Sequence, residues 1–170
     1  MVVLPLTYWG SIEHFANLLQ AGEEAVIDLG ENYVKRSERN RTEIMTAGGV
    51  MQLSVHLERA NRPRQPMRSM RIDYSKRWQH QHLIAMESAY RSSPYYDYYA
   101  DRFTKLYQRE WHYLVDLNLA TLEEVCSLLK RPMPRLSECY IEASEGDIDL
   151  RTKQRATEFV AAPYIQVFSD

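Results

Sequence analysis

Val2-Val-Leu-Pro-Leu-Thr-Tyr8, followed by Gly10-Ser11, residues 12–20 and Ala25-Val-Ile-Asp-Leu29, is the stretch that decides the fold. Its first run is apolar and ends at a Gly-Ser break, the mark of a short buried strand with Pro5 at an edge or an end. Ser11 supplies an N-cap and Glu13 an acidic first turn for the helix that follows. Ile12, Phe15, Ala16 and Leu19 fall on one helical face, and Gly22 can close the helix just past its end. Residues 25–29 then form a second apolar run. Strand, helix, strand is the unit of a parallel layer, so the fold class is α/β.

The rest of the chain extends that layer. Residues 30–39 are polar and aperiodic, a loop or short helix. Residues 42–45 and 50–58 flank Thr46-Ala-Gly-Gly49, a hairpin signal. In the second of these strands Met51, Leu53, Val55 and Leu57 make a dry face opposite Gln52, Ser54, His56 and Glu58. The prolines of residues 60–66 make a basic loop, because each removes an amide donor. Residues 67–74 return as a strand. Ser75 caps a helix over residues 78–91, in which Trp78, His82, Ala85 and Ala89 form one stripe.

Glu87-Ser-Ala-Tyr-Arg-Ser-Ser-Pro-Tyr-Tyr-Asp-Tyr-Tyr99 holds five of the twelve tyrosines. Pro94, with Ser93 as cap, ends one helix and opens the next. Tyr95, Tyr99, Phe103 and Tyr107 recur every fourth residue and are expected in the core, each hydroxyl reaching a partner. Residues 112–130 are helical, with a capping box at Thr121 and Glu124 that can interrupt them. Residues 139–142 form a strand, residues 145–147 a turn and residues 164–168 a last strand. The expectation is one domain over residues 1–170: a mixed sheet begun by strand–helix–strand, extended by a β-hairpin, with packed helices.

Composition excludes several functions. A 45% hydrophobic and 26% charged chain is ordinary for a globular protein. A net charge of −2 disfavours wholesale binding to nucleic acid or membrane. The start has no signal-peptide pattern, and no apolar run approaches ~18 residues, so no membrane span is expected. Cys126 and Cys139 have neither metal-ligand nor redox spacing, which suits a reducing cytoplasm. No zinc spacing, P-loop, dinucleotide fingerprint or nucleophile elbow occurs, and no cofactor is named by the sequence. Charge is uneven, however. Residues 35–91 carry twelve Lys and Arg against five Asp and Glu, mostly as arginine, whose fork suits phosphate and carboxylate. That is the basis for expecting a small anionic substrate, with a solvated basic surface as the plain alternative.

Resemblance adds a family. Leu4-Pro5 with Tyr8, Ile12-Glu-His-Phe-Ala16, Asp28, Glu31-Asn-Tyr-Val-Lys35, Arg39-Asn-Arg41, Leu53-Ser-Val55 and Arg71-Ile-Asp-Tyr74 carry the first half of it. Trp78, His82, Glu87-Ser-Ala-Tyr-Arg91, Pro94, Tyr98-Tyr99, Asn118-Leu119, Asp149-Leu-Arg151 and Tyr164-Ile-Gln-Val-Phe168 continue it. On these positions the chain resembles the WbqC-like family of bacterial proteins. The family takes its name from O-antigen gene clusters, and some members are described as glycine transferases. The resemblance therefore implies a cytoplasmic transferase in surface polysaccharide biosynthesis. Its donor would be a nucleotide sugar or an activated acyl or aminoacyl group. Three departures stand out. His14 replaces the usual tyrosine. Thr42 stands where many relatives have cysteine, so no catalytic cysteine carries over. The short tail that relatives carry after Gln-Val-Phe is absent past Ser169-Asp170.

The candidate residues follow. His82 and Glu87 are the catalytic candidates, a histidine and a carboxylate able to move a proton. His82 on the Trp78 stripe is equally a core histidine bonded to a backbone carbonyl. Arg39 and Arg41, alternating about Asn40 into a strand, can clamp an anion on one face, and Arg71 with Asp73 either adjoin them, if the two strands are neighbours, or neutralise each other. Arg91 and Tyr98 complete a polar rim around Pro94, although Glu87 and Arg91 at i, i+4 also suit a surface ion pair. His14 in a first helical turn, after a strand and a loop, suggests a nucleotidylyltransferase-like layout as a third reading. The second reading is a non-catalytic binding or scaffold protein.

Overall fold

Apolar runs too short to be helices pair side by side, and the first two do so in parallel. The computed structural model describes residues 1–59 and 64–152. Strand β1 (Val2–Pro5) leads through α1 (Ile12–Ala21) to β2 (Ala25–Asp28), and β1 and β2 pair in parallel from Val2↔Ala25 to Pro5↔Asp28. Every residue of β2 is buried, as expected of a parallel strand covered on both faces. Strands β5 (Arg135–Ser137) and β6 (Ile148–Asp149) complete a four-stranded parallel sheet of order β5-β2-β1-β6. A separate antiparallel hairpin joins β3 (Arg41–Thr46) to β4 (Gly49–Ser54) around Ala47-Gly48. The chain is thus α/β, with parallel and antiparallel pairings in different sheets.

Three further helices pack on this frame: α2 (Trp78–Tyr90), α3 (Tyr96–Gln108) and α4 (Leu114–Leu128). One core joins the parallel sheet to α1 and α4 through Leu4, Leu6, Leu18, Ile27, Val115 and Leu122. A second gathers Tyr8, Val55, Met70, Trp78, Tyr107 and Leu114. Helix α4 feeds both. No helix among the described residues is long and apolar enough to cross a membrane.

Several local expectations are corrected. Helix α1 buries His14 and Leu18 and leaves Ile12 and Leu19 exposed, because the sheet meets the face one residue round from the apolar stripe. Residues 67–74 are not a strand. They form a 3₁₀ turn (Met67–Ser69) and then isolated bridges Leu57↔Ile72 and Arg71↔Tyr113. Ser75 does not cap α2; its amide and hydroxyl bond the Asp73 carboxylate in a tight turn. Nor does Ser93 cap α3. Its hydroxyl donates to the Tyr90 carbonyl, and α3 starts from Tyr95 in the left-handed region at φ 69°. Tyr95 and Tyr99 are therefore exposed rather than core, whereas Tyr107 is buried. Helix α4 is unbroken, with the Thr121 hydroxyl donating back to the Asn118 carbonyl inside the helix. The strand expected at residues 139–142 lies instead at β5. The strand expected at residues 164–168, and residues 60–63 of the basic loop, lie outside the described residues.

Candidate functional site

Tyr8 leaves the carboxyl side of β1 pointing into the second core, where it is fully buried. Its hydroxyl lies 2.9 Å from Nδ1 of His82 on α2 and in a short contact with the Tyr107 hydroxyl on α3. The Trp9 indole N–H donates to the Tyr107 oxygen at 2.8 Å. The Ser54 backbone opposes part of the burial effect on the His82 pKa. With Trp9 donating to Tyr107, one consistent set of directions runs along the chain. Nδ1 accepts from Tyr8, Tyr8 accepts from Tyr107, and Tyr107 accepts from Trp9. Burial moves all three titratable groups toward neutrality. His82 falls to about 4, Tyr107 rises to about 12, and Tyr8 lies well above its ordinary value.

Tyr107 also lines a cleft of ≈ 320 Å³ between the start of α2 and the end of α3. Lys76, Arg77 and His80 stand on one wall, and Tyr74 and Glu110 complete its polar lining. The Gln79 side chain donates to the Arg109 carbonyl at 2.8 Å and ties the two helices together. The volume suits a small molecule.

A closed seam with no room for a water molecule lies on the other side of Trp9, at the amino end of α1. It is lined by Thr7, Gly10, His14 and Phe15, with Leu6, Thr121 and Leu122 beneath. The Ser11 hydroxyl caps the helix by accepting the His14 amide. His14 itself is buried, and its pKa falls to about 4 through burial and then through the nearby Arg39 charge. The imidazole packs edge-on against Phe15.

The charged residues at the carboxyl ends of the strands pair with one another. Asp28, fully buried, accepts from the Gly30 amide at 2.8 Å and from the Arg151 guanidinium. Arg151 also holds Asp149 at the end of β6 and covers the Tyr140 ring at 4.5 Å. Arg39 donates twice to Glu31, at 3.1 and 2.6 Å, and once to the Arg151 carbonyl at 2.8 Å. This network clasps β6 to β2.

The expected site residues fall into separate groups. Arg39 lies in the clasp, its fork already occupied by a carboxylate. Asn40, next to it, is buried, donates to the Val55 carbonyl and accepts from the Tyr33 hydroxyl. Arg41 opens β3, and its Nε is buried with no hydrogen-bond partner among the described residues. Arg71 is exposed, 3.5 Å from Glu58 and 5.8 Å from the centre of the Tyr113 ring. Asp73 is held below the usual carboxylate range by the Ser75 amide and hydroxyl. Glu87 and Arg91 form an exposed pair at 3.5 Å, and Tyr98 is exposed beside Tyr99. The cleft is lined by none of these residues and not by His82, which connects to it only through Tyr8 and Tyr107. Lys76, Arg77, His80, Tyr107 and Glu110 were missed by sequence reasoning. Arg77, His80 and Leu83 share a helical face at i, i+3 and i+6, the one local signal that could have found part of this wall.

Fold and site together define an α/β protein whose strand order reverses beside β1, with a polar cleft between α2 and α3. Residues 8–168 match the WbqC-like protein family, and the chain belongs to that family. It is 27% identical over 161 residues to "Uncharacterized protein Rv1507c" of Mycobacterium tuberculosis, covering 92% of this chain and 69% of the relative. No solved structure matches.

Proposed function

We propose that this WbqC-like protein is a transferase that takes an anionic activated donor, a nucleotide sugar or an acyl or aminoacyl derivative, in the cleft between α2 and α3. The pathway implied by the family resemblance is bacterial surface polysaccharide biosynthesis. One observation carries the reading: Lys76, Arg77 and His80 stand around a hollow of ≈ 320 Å³ that Tyr107 also lines. The Lys76 and Arg77 charges on one wall attract a phosphate, and Tyr107, held by Trp9 and Tyr8, gives the hollow a fixed wall. In this reading His82 is a positioning residue for Tyr8 and Tyr107, since a base near pKa 4 takes a proton poorly at neutral pH. Glu110 lines the cleft and is the carboxylate suited to proton transfer there, with Glu87 one helical turn beyond Leu83.

The same depressed and raised pKa values favour a second reading, a non-catalytic binding protein using the same cleft, because every buried group of the chain from Trp9 to His82 is held neutral. Thermal shift with a panel of nucleotide sugars and acyl thioesters tests the cleft. Stabilisation that Arg77→Ala removes supports it, and no shift with any of them sinks it. Turnover of a bound donor, lost in Glu110→Gln without loss of binding, separates enzyme from binding module.

A further inference from the structure

Four strands lie at sheet edges among the described residues: β5 and β6 in the parallel sheet, β3 and β4 in the hairpin. Open edges invite pairing with another chain, and proteins guard them with charge, proline or brevity. Strand β5 has three residues, opens on Arg135 and follows Pro132 and Pro134. Strand β6 has two residues, one of them Asp149. Strand β3 carries Arg41 and Glu43, and α2 packs against it. Strand β4, Gly49-Val-Met-Gln-Leu-Ser54, has neither charge nor proline, and its first four residues are exposed. We propose that β4 is a self-association edge, pairing antiparallel with β4 of a second copy of this chain about a two-fold axis at Met51.

The register of the hairpin fixes which backbone groups are free to pair. The Val55 amide donates to the Asn40 carbonyl at 2.8 Å, and Thr46 stands opposite Gly49 across the two-residue turn. Hydrogen-bonded pairs alternate with non-bonded ones along an antiparallel ladder, so Leu53 and Met51 also direct their backbone at β3. Val50 and Gln52 therefore direct theirs outward, and the amide and carbonyl of each have no partner among the described residues. Ser54, the next outward residue, meets His82 of α2, where the body of the protein closes the edge.

Self-pairing uses these groups without remainder. With Met51 opposite Met51 at the axis, Val50 of each copy faces Gln52 of the other, and every outward N–H and C=O of the two residues gains a partner. Moving the axis to Val50 or to Gln52 leaves the other residue opposite Gly48 of the turn or opposite the closed Ser54. The Met51 register also lines Ile44, Met51, Met51 and Ile44 across one face, since Ile44 and Met51 are already partners within the hairpin. Met51 is 43% exposed and Ile44 half-buried in the single chain. Cross-strand apolar pairs stabilise a sheet, and four strands supply what an isolated two-stranded hairpin lacks. No like charges meet, because β4 has none. Leu53 falls opposite Gly49, so the body of one copy meets the side-chain-free turn of the other. Strand β4 lines no part of the α2–α3 cleft, so the association stands whatever the cleft binds.

Sedimentation velocity of the full chain from about 1 µM to about 1 mM reads the association. One strand pair is small beside a standard interface of about 1,600 Å², so the dimer is expected in the upper part of that range. Met51→Lys and Met51→Glu each set two like charges opposite one another and should weaken it by ~10-fold or more, and an equimolar mixture of the two variants should recover it. Gln52→Pro removes an outward amide that the hairpin does not use and should weaken it likewise. Leu136→Lys, at an exposed position of β5, should leave it unchanged. A monomer at every concentration overturns the proposal, whether the edge stays open or another segment of the chain covers it. So does a dimer that both Met51 variants retain, and a mixture that fails to recover refutes the two-fold at Met51.

Discussion

Mild acid should destabilise this protein more than its carboxylates alone would, because two buried histidines must stay neutral in the folded state. His14 and His82 both titrate near pH 4 when folded and near the ordinary 6.5 when unfolded. A lowered folded pKa means that the unfolded chain binds protons first as pH falls. Stability is therefore full above about pH 6.5 and declines down to about pH 4. Between pH 7 and pH 5 the difference is about 2 kcal/mol for each histidine and about 4 kcal/mol for both. That is a large share of the roughly 5–15 kcal/mol typical of a domain. The carboxylates held below their usual range, Asp73, Asp147 and Asp149, lose their contribution only lower, below about pH 4. The two effects thus occupy different windows. Urea unfolding at pH 7 and pH 5, followed by tryptophan fluorescence, measures the first. His82→Gln is expected to be less stable than wild type at pH 7, since Tyr8 loses its acceptor, yet to lose about 2 kcal/mol less on going to pH 5. His14→Gln should behave likewise, and the double variant should be nearly flat across that window. A wild-type difference below about 1 kcal/mol, or one unchanged in both single variants, would refute the assignment of these rings as buried and neutral.

Three further outcomes follow from the packing. Arg39→Met leaves Glu31 buried without its partner and should cost about 3–5 kcal/mol, whereas Arg39→Met with Glu31→Leu should recover most of that loss in urea melts; equal losses in both would show that the pair itself carries the stability. Gly30→Ala would place a Cβ 2.0 Å from the Tyr140 amide nitrogen and 2.3 Å from the Cys139 carbonyl carbon, a backbone clash. It should cost about 3 kcal/mol and lower Tm by roughly 10 °C, and an unchanged Tm would contradict the close passage of that segment. Cys139 is exposed and Cys126 buried, with burial also pushing the Cys126 thiol up, so a disulfide reagent should label one thiol in the native protein and two in urea.

Local pattern carried the parts of the fold that depend on local physics. Strand β1, the Ser11 cap, the Gly22 stop and strand β2 were legible because apolar runs and capping chemistry act within a few residues. The β3–β4 hairpin was legible for the same reason, its two-residue turn being written in Thr46-Ala-Gly-Gly49. What failed was decided by distant partners. The apolar stripe of α1 marked Ile12 and Leu19, but the face that meets the sheet is the one carrying His14 and Leu18. Residues 67–74 have a strand's composition, yet their partners are Leu57 and Tyr113 in single bridges rather than a neighbouring strand. The four-residue tyrosine repeat had the right period. Its upper half simply extends past the core, so that Tyr95 and Tyr99 face solvent while Tyr107 is enclosed.

The candidate site was less legible, and the reason is chemical as well as topological. A basic excess across residues 35–91 suggested an anion clamp, but charge counts do not say which cations are already matched. Arg39 is matched, by a buried Glu31 eight residues earlier, and Arg151 is matched twice, by Asp28 and Asp149. Burial selects for such pairing, since an arginine enclosed without a carboxylate would be strongly unfavourable. The cations of the cleft, Lys76 and Arg77, are exposed and need no such partner. Arg77 and His80 are exposed on the first turns of α2, at a helical spacing that looks like an ordinary solvated face. What distinguishes them is Tyr107, 27 residues beyond His80 in the sequence, which lines the same cleft and is held by Trp9 and Tyr8 from the other end of the chain. A site assembled from residues 8, 9, 77, 80 and 107 leaves no short motif. It becomes visible only when the parallel sheet delivers Tyr8 beneath the helices, which is why the residues that fix the fold and those that face a ligand meet at the carboxyl end of β1.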